Sequence, residues 1–512
     1  MRSNSHVLFG SPSVFSLQAD PDYSFFQLDV GDGSDLIFST DPTIPFTYLY
    51  PEPGIYEYQL SAFGSSDEAF VITGTHTVSE FMTSPWPEPK LNYDDGDLFA
   101  CDSCPDDQGA ILDPIYLHNG EFFLMEEDLR IPGRGFDYRF QRTYKSQLSF
   151  DGRMGHNWTH NYMQHLAADG LNIVQVNGNG RRDAYTSSDG VSFTAPAGFY
   201  TSLTRNSDET YTIREAYGGQ ALFNALDGSP AQGRLRQISD RNGNTMHFLY
   251  DAGGRLERVI DTLGRPIYYI YNTDERLAYI EDFIGRRVSF TYDLRGDLVA
   301  VTSPAVTGTP NGNDFPNGKS WRYTYSSGFG NDRLNHNLLT IIAPNEVADG
   351  TLKPHVINTY AGTTNPLDYN FDRVITQQWG GTNASGVPAG GTLTVTYEEL
   401  NPSGDPTDLT LPRNRTTVID RNGNQKVYEH NGNGHRLTLK EYSNRDIRPG
   451  DPEFWETVYR FNRDGQLLQT IYPAGNVIES RYDETNRNRL QQGNRIADVQ
   501  RADPIRGGDQ RA

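Results

Sequence analysis

The feature that most constrains this 512-residue chain is a 21-residue unit written three times in register between residues 240 and 302. Each copy begins with Asp and then repeats a Gly, an aromatic residue and two apolar residues at fixed offsets. The repeated positions are Asp240, Asp261, Asp282; Gly243, Gly264, Gly285; Tyr250, Tyr271, Tyr292; Leu256, Leu277, Leu298; and Val259, Ile280, Val301. Such self-similarity marks a stacked repeat architecture, which favours a binding, scaffolding or container function over a compact enzyme.

Each copy reads as a β-hairpin. In the first copy Met246, Phe248 and Tyr250 alternate with other residues, which places them on one face of a strand. A turn follows, and a second strand then runs through Leu256 and Val259. Because Leu256 and Val259 are three apart, strict alternation would put them on opposite faces, so either a bulge or a strand end lies between them. A single hairpin cannot bury its own face, so the copies must pair with one another.

The repeat extends beyond these three copies. The Asn-Gly hairpin turn at 240–245 returns almost unchanged at 420–425. Less regular copies cover 321–342, 427–440 and 459–472, and another begins near residue 480. Three insertions rich in Gly, Pro, Asn and Thr, at 305–320, 345–370 and 380–391, are predicted to be loops at strand ends.

The net charge of −22 is concentrated in the first quarter of the chain. Residues 1–128 contain 23 Asp and Glu against Arg2 and Lys90, whereas the remaining 384 residues are close to neutral, with 43 acids and 42 bases. An acidic region of this kind repels phosphate backbones, so we do not expect nucleic-acid binding. The abundance of Tyr (30) and Gly (50) fits aromatic strands joined by glycine turns, and the chain is predicted to be all-β.

Residues 1–80 are predicted to form a small β-sandwich, because short apolar runs alternate with Gly, Asp and Pro turns. The segments 29–34 (DVGDGS) and 48–56 (YLYPEPGIY) resemble the PKD family of immunoglobulin-like domains, with Leu28 departing from the family's usual Trp. The resemblance implies a spacer or interaction module outside cells. The acidic residues of the first segment are interpreted as turn formers, with a Ca²⁺ site as the alternative; they are Asp29, Asp32 and Asp35.

Residues 81–110 are predicted to be an acidic, Pro-rich linker. Its Cys101 and Cys104 form a lone CxxC motif. A zinc site would need two further ligands, and a thioredoxin-type site would need a strand–helix context. A local disulfide or two unpaired thiols is the simpler interpretation, and no metal or other cofactor is expected.

Residues 111–170 carry a second set of motifs, at 119–124 (NGEFFL), 127–135 (EDLRIPGRG) and 142–146 (RTYKS), followed by GHNWTHNY at 155–162. They resemble the domain that opens the shell in proteins with RHS repeats, with Lys145 and Asn157 at positions where that family commonly has other residues. His156, His160 and His165 lie close together in the sequence, but His156 and His160 are spaced as metal ligands only if they lie on a helix. The flanking Gly and aromatic residues predict strands, so these histidines are assigned structural roles.

The spaced Asp, Gly and Tyr of residues 171–512 are similar to those of the RHS/YD-repeat family. This resemblance implies a spiral β-shell, here partial and truncated at the C-terminus. In polymorphic toxins and insecticidal toxin complexes such a shell encloses a C-terminal toxic domain, whereas in teneurin-like receptors it is an adhesion scaffold. Either the chain is a non-catalytic shell that encapsulates or presents a C-terminal effector, or it is a surface protein that binds carbohydrate or protein without a toxin.

No catalytic residue is predicted. The chain has no Gly-x-Ser-x-Gly elbow, P-loop or G-x-G-x-x-G motif, and its Asp-Pro pairs do not continue into the self-cleavage motif of complete toxins. An enzyme hidden in the shell, such as a glycosidase, is the third and weakest hypothesis. There is no run of 18 apolar residues, so we expect no transmembrane helix. The first residues do not resemble a signal peptide, so either export uses another route or the native chain starts earlier than Met1. The protein is expected to be a monomer, secreted or at the cell surface.

Overall fold

The computed structural model describes residues 115–503, except 311, 381–389, 403, 405–407 and 444–451, together with shorter N-terminal stretches. These stretches are 2–3, 6–8, 13–16, 23–31, 33–34, 36–41, 46–48, 54–64, 70–79 and 110–111. Cys101, Cys104 and almost all of the predicted linker lie outside the described residues, as do Asp32 and Asp35.

The described N-terminal residues form eight strands in two sheets. They are β1 (Arg2–Ser3), β2 (His6–Leu8), β3 (Ser13–Ser16), β4 (Tyr23–Asp29), β5 (Ile37–Ser39), β6 (Phe46–Tyr48), β7 (Gly54–Gly64) and β8 (Phe70–Ser79). One sheet has the order β1-β3-β6 and the other β2-β8-β7-β4-β5. Phe46 of the first sheet shares a buried cluster with Phe26, Leu28 and Leu60 of the second, so the two sheets pack face to face.

Asp29 forms a local turn at the end of β4. Its Oδ1 accepts a hydrogen bond of 2.9 Å from the Gly31 backbone N–H. Gly31 has φ +82°, and a Cβ there would lie 2.2 Å from the Glu57 carbonyl oxygen, so only glycine fits. This geometry is the turn chemistry expected for Asp29.

The next part of the chain forms four small sheets. Their strands are β9 (Ala110–Ile111), β10 (Ile115–Tyr116), β11 (Phe123–Ile131), β12 (Tyr138–Lys145), β13 (Asp151–Gly152), β14 (Gly155–His156), β15 (Trp158–His160), β16 (His165–Asp169), β17 (Asn172–Val176) and β18 (Arg182–Tyr185), with a 3₁₀ turn at Asn161–Met163. The two larger sheets have three strands each, in the orders β11-β12-β15 and β16-β17-β18. The hairpin β16–β17 turns at residues 169–172, where the sequence predicts the repeats to begin.

The remaining strands form one antiparallel sheet of 22 strands in sequence order. They are β19 (Thr201–Arg205), β20 (Tyr211–Glu215), β21 (Gln220–Phe223), β22 (Leu235–Ser239), β23 (Thr245–Tyr250), β24 (Leu256–Ile260), β25 (Pro266–Tyr271), β26 (Leu277–Glu281), β27 (Arg287–Tyr292), β28 (Leu298–Thr302), β29 (Ser320–Tyr325), β30 (Leu338–Ile342), β31 (Val356–Tyr360), β32 (Val374–Trp379), β33 (Thr392–Glu399), β34 (Asn414–Ile419), β35 (Gln425–His430), β36 (Arg436–Tyr442), β37 (Phe454–Phe461), β38 (Leu467–Ile471), β39 (Val477–Tyr482) and β40 (Arg495–Arg501). The all-β prediction is confirmed.

The segment 345–370 departs from its prediction as a loop. It contains the end of a short helix, α1 (Pro344–Ala348), and the whole of β31, which pairs with β30 and β32 in the large sheet. Val356 and Asn358 are buried there and Ile357 is partly exposed, so the strand alternates over only five residues. The surrounding Gly, Pro, Asn and Thr obscured this short alternation.

A β-bulge explains the spacing between Leu256 and Val259. Tyr250 pairs with Leu256 and Leu249 with Arg258, which leaves Glu257 as the extra residue. The extra residue resets the alternation, so Leu256 and Val259 are both buried on the same face. The same register shift recurs in the second and third copies.

The repeated Tyr and Asp have defined roles in each copy. The hydroxyl of Tyr271 donates to the Leu256 carbonyl oxygen at 2.9 Å, and Tyr250 and Tyr292 make the equivalent bond to the preceding copy. The carboxylate of Asp261 accepts from the Arg265 backbone N–H and from the Arg265 Nε, which closes the turn between copies. The Tyr therefore ties neighbouring hairpins together and the Asp shapes the connection.

Two turn glycines offer a matched stability test. Gly254 and Gly264 have nearly equal φ, +75° and +78°. A Cβ on Gly254 would lie 2.0 Å from the Pro230 carbonyl oxygen, whereas a Cβ on Gly264 would have no atom within 4 Å among its described neighbours. We expect Gly264→Ala to lower the free energy of unfolding by about 1–2 kcal/mol from backbone strain alone. Gly254→Ala should cost a further ~1–3 kcal/mol from the steric clash, measured by urea denaturation. Equal losses for the two variants would contradict this assignment.

Candidate functional site: the enclosed face of the large sheet

One face of the large sheet is a continuous apolar surface. It carries the buried side chains that alternate along the strands, from Leu203 on β19 to Tyr459 on β37. These residues belong to the same hydrophobic cluster as Phe140, Tyr144 and Trp158 of the preceding small sheets. The apolar face is therefore covered by the chain's own residues 115–176, which we call the inner segment.

The inner segment crosses the large sheet strand by strand. Its contacts extend along the sheet from β34 to the residues before β22, in reverse order except at Tyr138: Leu117 with Thr416 on β34, Gly120 with Val374 on β32, Tyr144 with Leu338 on β30, Trp158 with Tyr325 on β29, Tyr138 with Tyr269 on β25, and Leu166 with Gly233 before β22. Every one of these contacts is a hydrogen bond of 2.6–2.9 Å. The inner segment is thus bound directionally, in one register, and not only by apolar packing.

A buried ion pair lies at the centre of this interface. The Arg142 Nε donates to the Asp128 Oδ2 at 2.7 Å, and its Nη2 donates to the Tyr323 hydroxyl on β29, also at 2.7 Å. The guanidinium stacks 4.6 Å from the centre of the Trp158 ring. Burial by itself would lower the pKa of Arg142, but Asp128, Tyr323 and Glu126 together more than offset this, so the pKa lies above its ordinary value.

The three histidines singled out in the sequence do not converge. The ring of His156 stacks on that of His336 at 3.6 Å, and His336 bonds the buried Asp297 through Nδ1 at 2.7 Å. The ring of His160 lies 5.0 Å from Phe140, and His165 bonds the Met163 carbonyl oxygen. Across the described residues no group of three or more His, Cys, Asp or Glu could hold a metal ion.

The two ends of the large sheet are held together by one arginine. The guanidinium of Arg489 pairs with both carboxylate oxygens of Asp464 at 2.7 and 2.9 Å and donates to the Phe199 carbonyl oxygen. The Gly198 N–H donates to the same Asp464. Residues 196–200 precede the first strand, whereas Asp464 and Arg489 lie between the last strands. A flat sheet would separate these groups by roughly 90–100 Å at the usual strand spacing, so the large sheet curls round on itself.

Two family models match different parts of the chain, one the inner segment and the other the large sheet. Residues 112–185, which contain the inner segment, match a family model described as a domain of unknown function, DUF6531. Residues 230–266 match the RHS Repeat family. No curated protein matches this chain at a significant level.

Several solved structures resemble the chain at low identity. A crystal structure titled TcdB2-TccC3-Cdc42 is 13% identical, with a TM-score of 0.28 and coverage of 72% of this chain and 19% of that one. A Photorhabdus luminescens Tc holotoxin pore structure is 14% identical, with a TM-score of 0.29 and coverage of 76% and 19%. The chain spans about a fifth of the length of these relatives.

The RHS Repeat match corresponds to one structural unit. It runs from the connection before β22, through the turn at Asp240 and strands β23 and β24, to the first residue of β25. The Asp240 carboxylate accepts from the backbone N–H groups of Asn242 and Asn244, and Gly243 has φ +83°. Because only the Gly has positive φ, the Asn-Gly turn is a type I turn closed by a glycine bulge, and not a type I′ turn.

Burial decreases at the last strands of the large sheet. The last apolar residues of the large sheet that are fully buried are Leu439 and Tyr459. Along β38, β39 and β40 the described apolar side chains are half-buried or exposed. Leu467 on β38 still packs against the cluster, but the described apolar side chains of β39 and β40 are less covered than those of the preceding strands.

The contacts of Arg489 with Asp464 and the Phe199 carbonyl oxygen, which we call the Arg489 clasp, can be tested by local hydrogen exchange. We expect Arg489→Ala to increase hydrogen exchange of the amides in residues 196–200 and in β38–β40 by about tenfold or more, because charge-assisted and bidentate bonds are lost. Arg501→Ala is the control, since the Arg501–Glu479 pair is largely exposed and should contribute little. Equal exchange in the two variants would show that the ends are held by other contacts.

Proposed function

We propose that this chain is the non-catalytic shell segment of a secreted or surface RHS-repeat protein, and that its large sheet encapsulates or presents a C-terminal effector. The observation that carries the proposal is that the sheet already curls around a polypeptide segment and keeps it from solvent. The match of residues 230–266 to the RHS Repeat family supports the same assignment.

The chemistry of the enclosed face supports a holding role over a catalytic one. Its central polar groups are engaged in structural bonds, as in the Arg142–Asp128–Tyr323 network, and its rings pack on one another. Charged groups locked in buried pairs are poorly suited to bind and release a substrate. Among the described residues no helix is long and apolar enough to cross a membrane.

The burial pattern supports one position for an effector. Strands β22–β34 are occupied by the inner segment, so an effector cannot lie against them. The less buried strands β38–β40, next to the contacts of Arg489, are then the surface on which a following segment would pack. The sheet would then protect the effector by excluding solvent and proteases from it.

The test uses a longer protein in which a candidate effector segment follows residue 512. The longer protein is purified and treated with trypsin, and the half-life of the downstream segment is compared with that of the same segment expressed alone. We expect the half-life to increase at least tenfold, and Arg489→Ala to reduce this protection. Equal digestion of the free and attached segment would contradict encapsulation.

An adhesion role is favoured by one different observation. On the outward face, Leu249 on β23 and Tyr268 and Ile270 on β25 are each 37% exposed, and Arg258 of the intervening β24 pairs with both Leu249 and Tyr268. Exposed apolar residues in one row mark interaction surfaces. Binding of the chain to a glycan or cell-surface protein array, lost in Tyr268→Ala, would support this alternative.

A further inference from the structure

Three histidines meet where the first turn of the inner segment docks on the large sheet. His118 lies in the turn at residues 116–121, and His430 and His435 lie at the end of β35 and in the turn that follows it. The rings of His118 and His430 are 6.3 Å apart. The ring of His435 stacks 4.4 Å from Phe461 on β37. The cluster therefore joins the inner segment to the sheet.

Asn414 on β34 fixes the protonation of His430. Its Nδ2 donates to the His118 carbonyl oxygen at 2.8 Å, so its Oδ1 must face the His430 Nδ1, 2.8 Å away. The His430 Nδ1 is then the donor and carries the hydrogen. The Nε2 of this neutral ring is a bare proton acceptor, and it is buried without a hydrogen-bond partner.

The surroundings of the cluster oppose added positive charge. The charged groups that act on the three rings include Lys145 from β12, Arg373 before β32 and Arg436 on β36, together with the histidines themselves. Uncharged side chains that contact the rings include Tyr116, Asn414, Tyr428 and Phe461. The one carboxylate of the 116–121 turn, Glu121, accepts from the Gln147 backbone N–H. A proton on one of these histidine rings would be repelled by the three cations and shielded from water by the apolar rings.

We propose that His118, His430 and His435 form an acid-sensitive latch, which releases the turn at residues 116–121 from strands β34–β36 when the rings take up protons. In the docked state the rings are neutral and the Asn414 amide bridges His430 to the turn. In the released state the rings reach water, where protonation is no longer opposed by Arg373 and Arg436. Acid therefore shifts the equilibrium towards release.

The titration of the rings supports the direction of this effect. Burial first, and then Arg373 and Lys145, lower the pKa of His118 from 6.5 to about 4. Burial and His118 lower the pKa of His435 to about 3, and burial lowers that of His430 well below its ordinary value. Each docked-state pKa lies below that of a solvated ring, so the stability of docking is complete above pH 6.5 and is lost as the pH falls.

The use of this latch to open a shell rests on the proposed function, but the latch itself does not and can be measured on this chain alone. Hydrogen exchange of peptides covering 115–122 and 428–438 is followed from pH 7.5 to 5 and corrected for the intrinsic pH dependence of exchange. Between pH 6 and 5 we expect the opening constant to rise by about three logarithmic units per pH unit, one for each ring. Peptides from β25–β27 should stay protected.

The variant His430→Gln separates the latch from general acid unfolding. The Gln amide can donate to Asn414 as the ring does, but it does not titrate. We expect the pH dependence of the logarithm of the opening constant to fall by about one unit per pH unit. If His430→Gln does not fold, His118→Gln should give the same change. His247→Gln, an exposed ring on β23, is the control and should leave the slope unchanged. An unchanged slope in His430→Gln and His118→Gln, or simultaneous loss of protection in β25–β27, would overturn the proposal.

Discussion

Replacing Asp128 by alanine should lower the free energy of unfolding by about 3–5 kcal/mol, because it leaves the Arg142 guanidinium charged and buried without its counter-ion. Arg142 is fully buried, and its Nη1 already has no hydrogen-bond partner. The Tyr323 hydroxyl and the Trp158 ring remain after the substitution, but they cannot neutralise a full charge. Urea denaturation followed by tryptophan fluorescence measures the loss.

The control removes both charges together. In the double variant Asp128→Leu/Arg142→Met no charge stays buried, so we expect a smaller loss than in Asp128→Ala. Together with the single variants Asp128→Leu and Arg142→Met, the double variant completes a cycle that measures the coupling energy of the pair. A double variant at least as unstable as Asp128→Ala would show that shape, and not charge, decides the stability of this position.

Acidification should destabilise the protein through His160 and His165 even before its carboxylates titrate. Burial and Arg234 lower the pKa of His160 from 6.5 to about 3 and that of His165 to about 4. A folded-state pKa below the unfolded value means that the contribution is complete above pH 6.5 and is lost as the pH falls towards the folded pKa. At pH 5 each ring should reduce the free energy of unfolding by about 2 kcal/mol relative to pH 7.5.

The variant His160→Asn tests this contribution. Asn keeps an acceptor for the Tyr162 backbone N–H, which His160 Nδ1 accepts at 3.3 Å, but it does not titrate. Unfolding of this variant should therefore take up about one proton less than unfolding of the unchanged protein between pH 6 and 5, which gives a shallower dependence of the free energy of unfolding on pH. The absolute stability can fall because the ring is lost, so the pH slope is the quantity to compare. A slope equal to that of the unchanged protein would show that His160 is not buried as a neutral ring.

The repeated hairpin could be predicted because its information is local. Tyr250 and Phe248 alternate within a single strand, and Asp240 and Gly243 lie within one turn. The bulge at Glu257 cannot be predicted from the sequence, because two apolar residues that are three apart fit either a bulge or a strand end. The pairing of Tyr250 with Leu256 decides between them.

The enclosed site could not be predicted in the same way. Arg142 and Trp158 stand in motifs that the sequence singled out, but their partners, Tyr323 and Tyr325, are more than 160 residues away. The cluster of His118 with His430 and the clasp of Arg489 with Phe199 also join positions far apart in the chain. No spacing rule relates these residues, because the curvature of the whole sheet brings them together.

The sequence by itself determined the class of the fold and the unit from which it is built. The 21-residue period, the strand alternation and the Asp and Gly turns each act within a few residues, so they can be read without tertiary structure. Only the tertiary structure decided which face of the sheet is enclosed, what covers it and where it is less covered. Those properties depend on how 22 paired strands accumulate twist and curl until residues 196–200 meet Arg489.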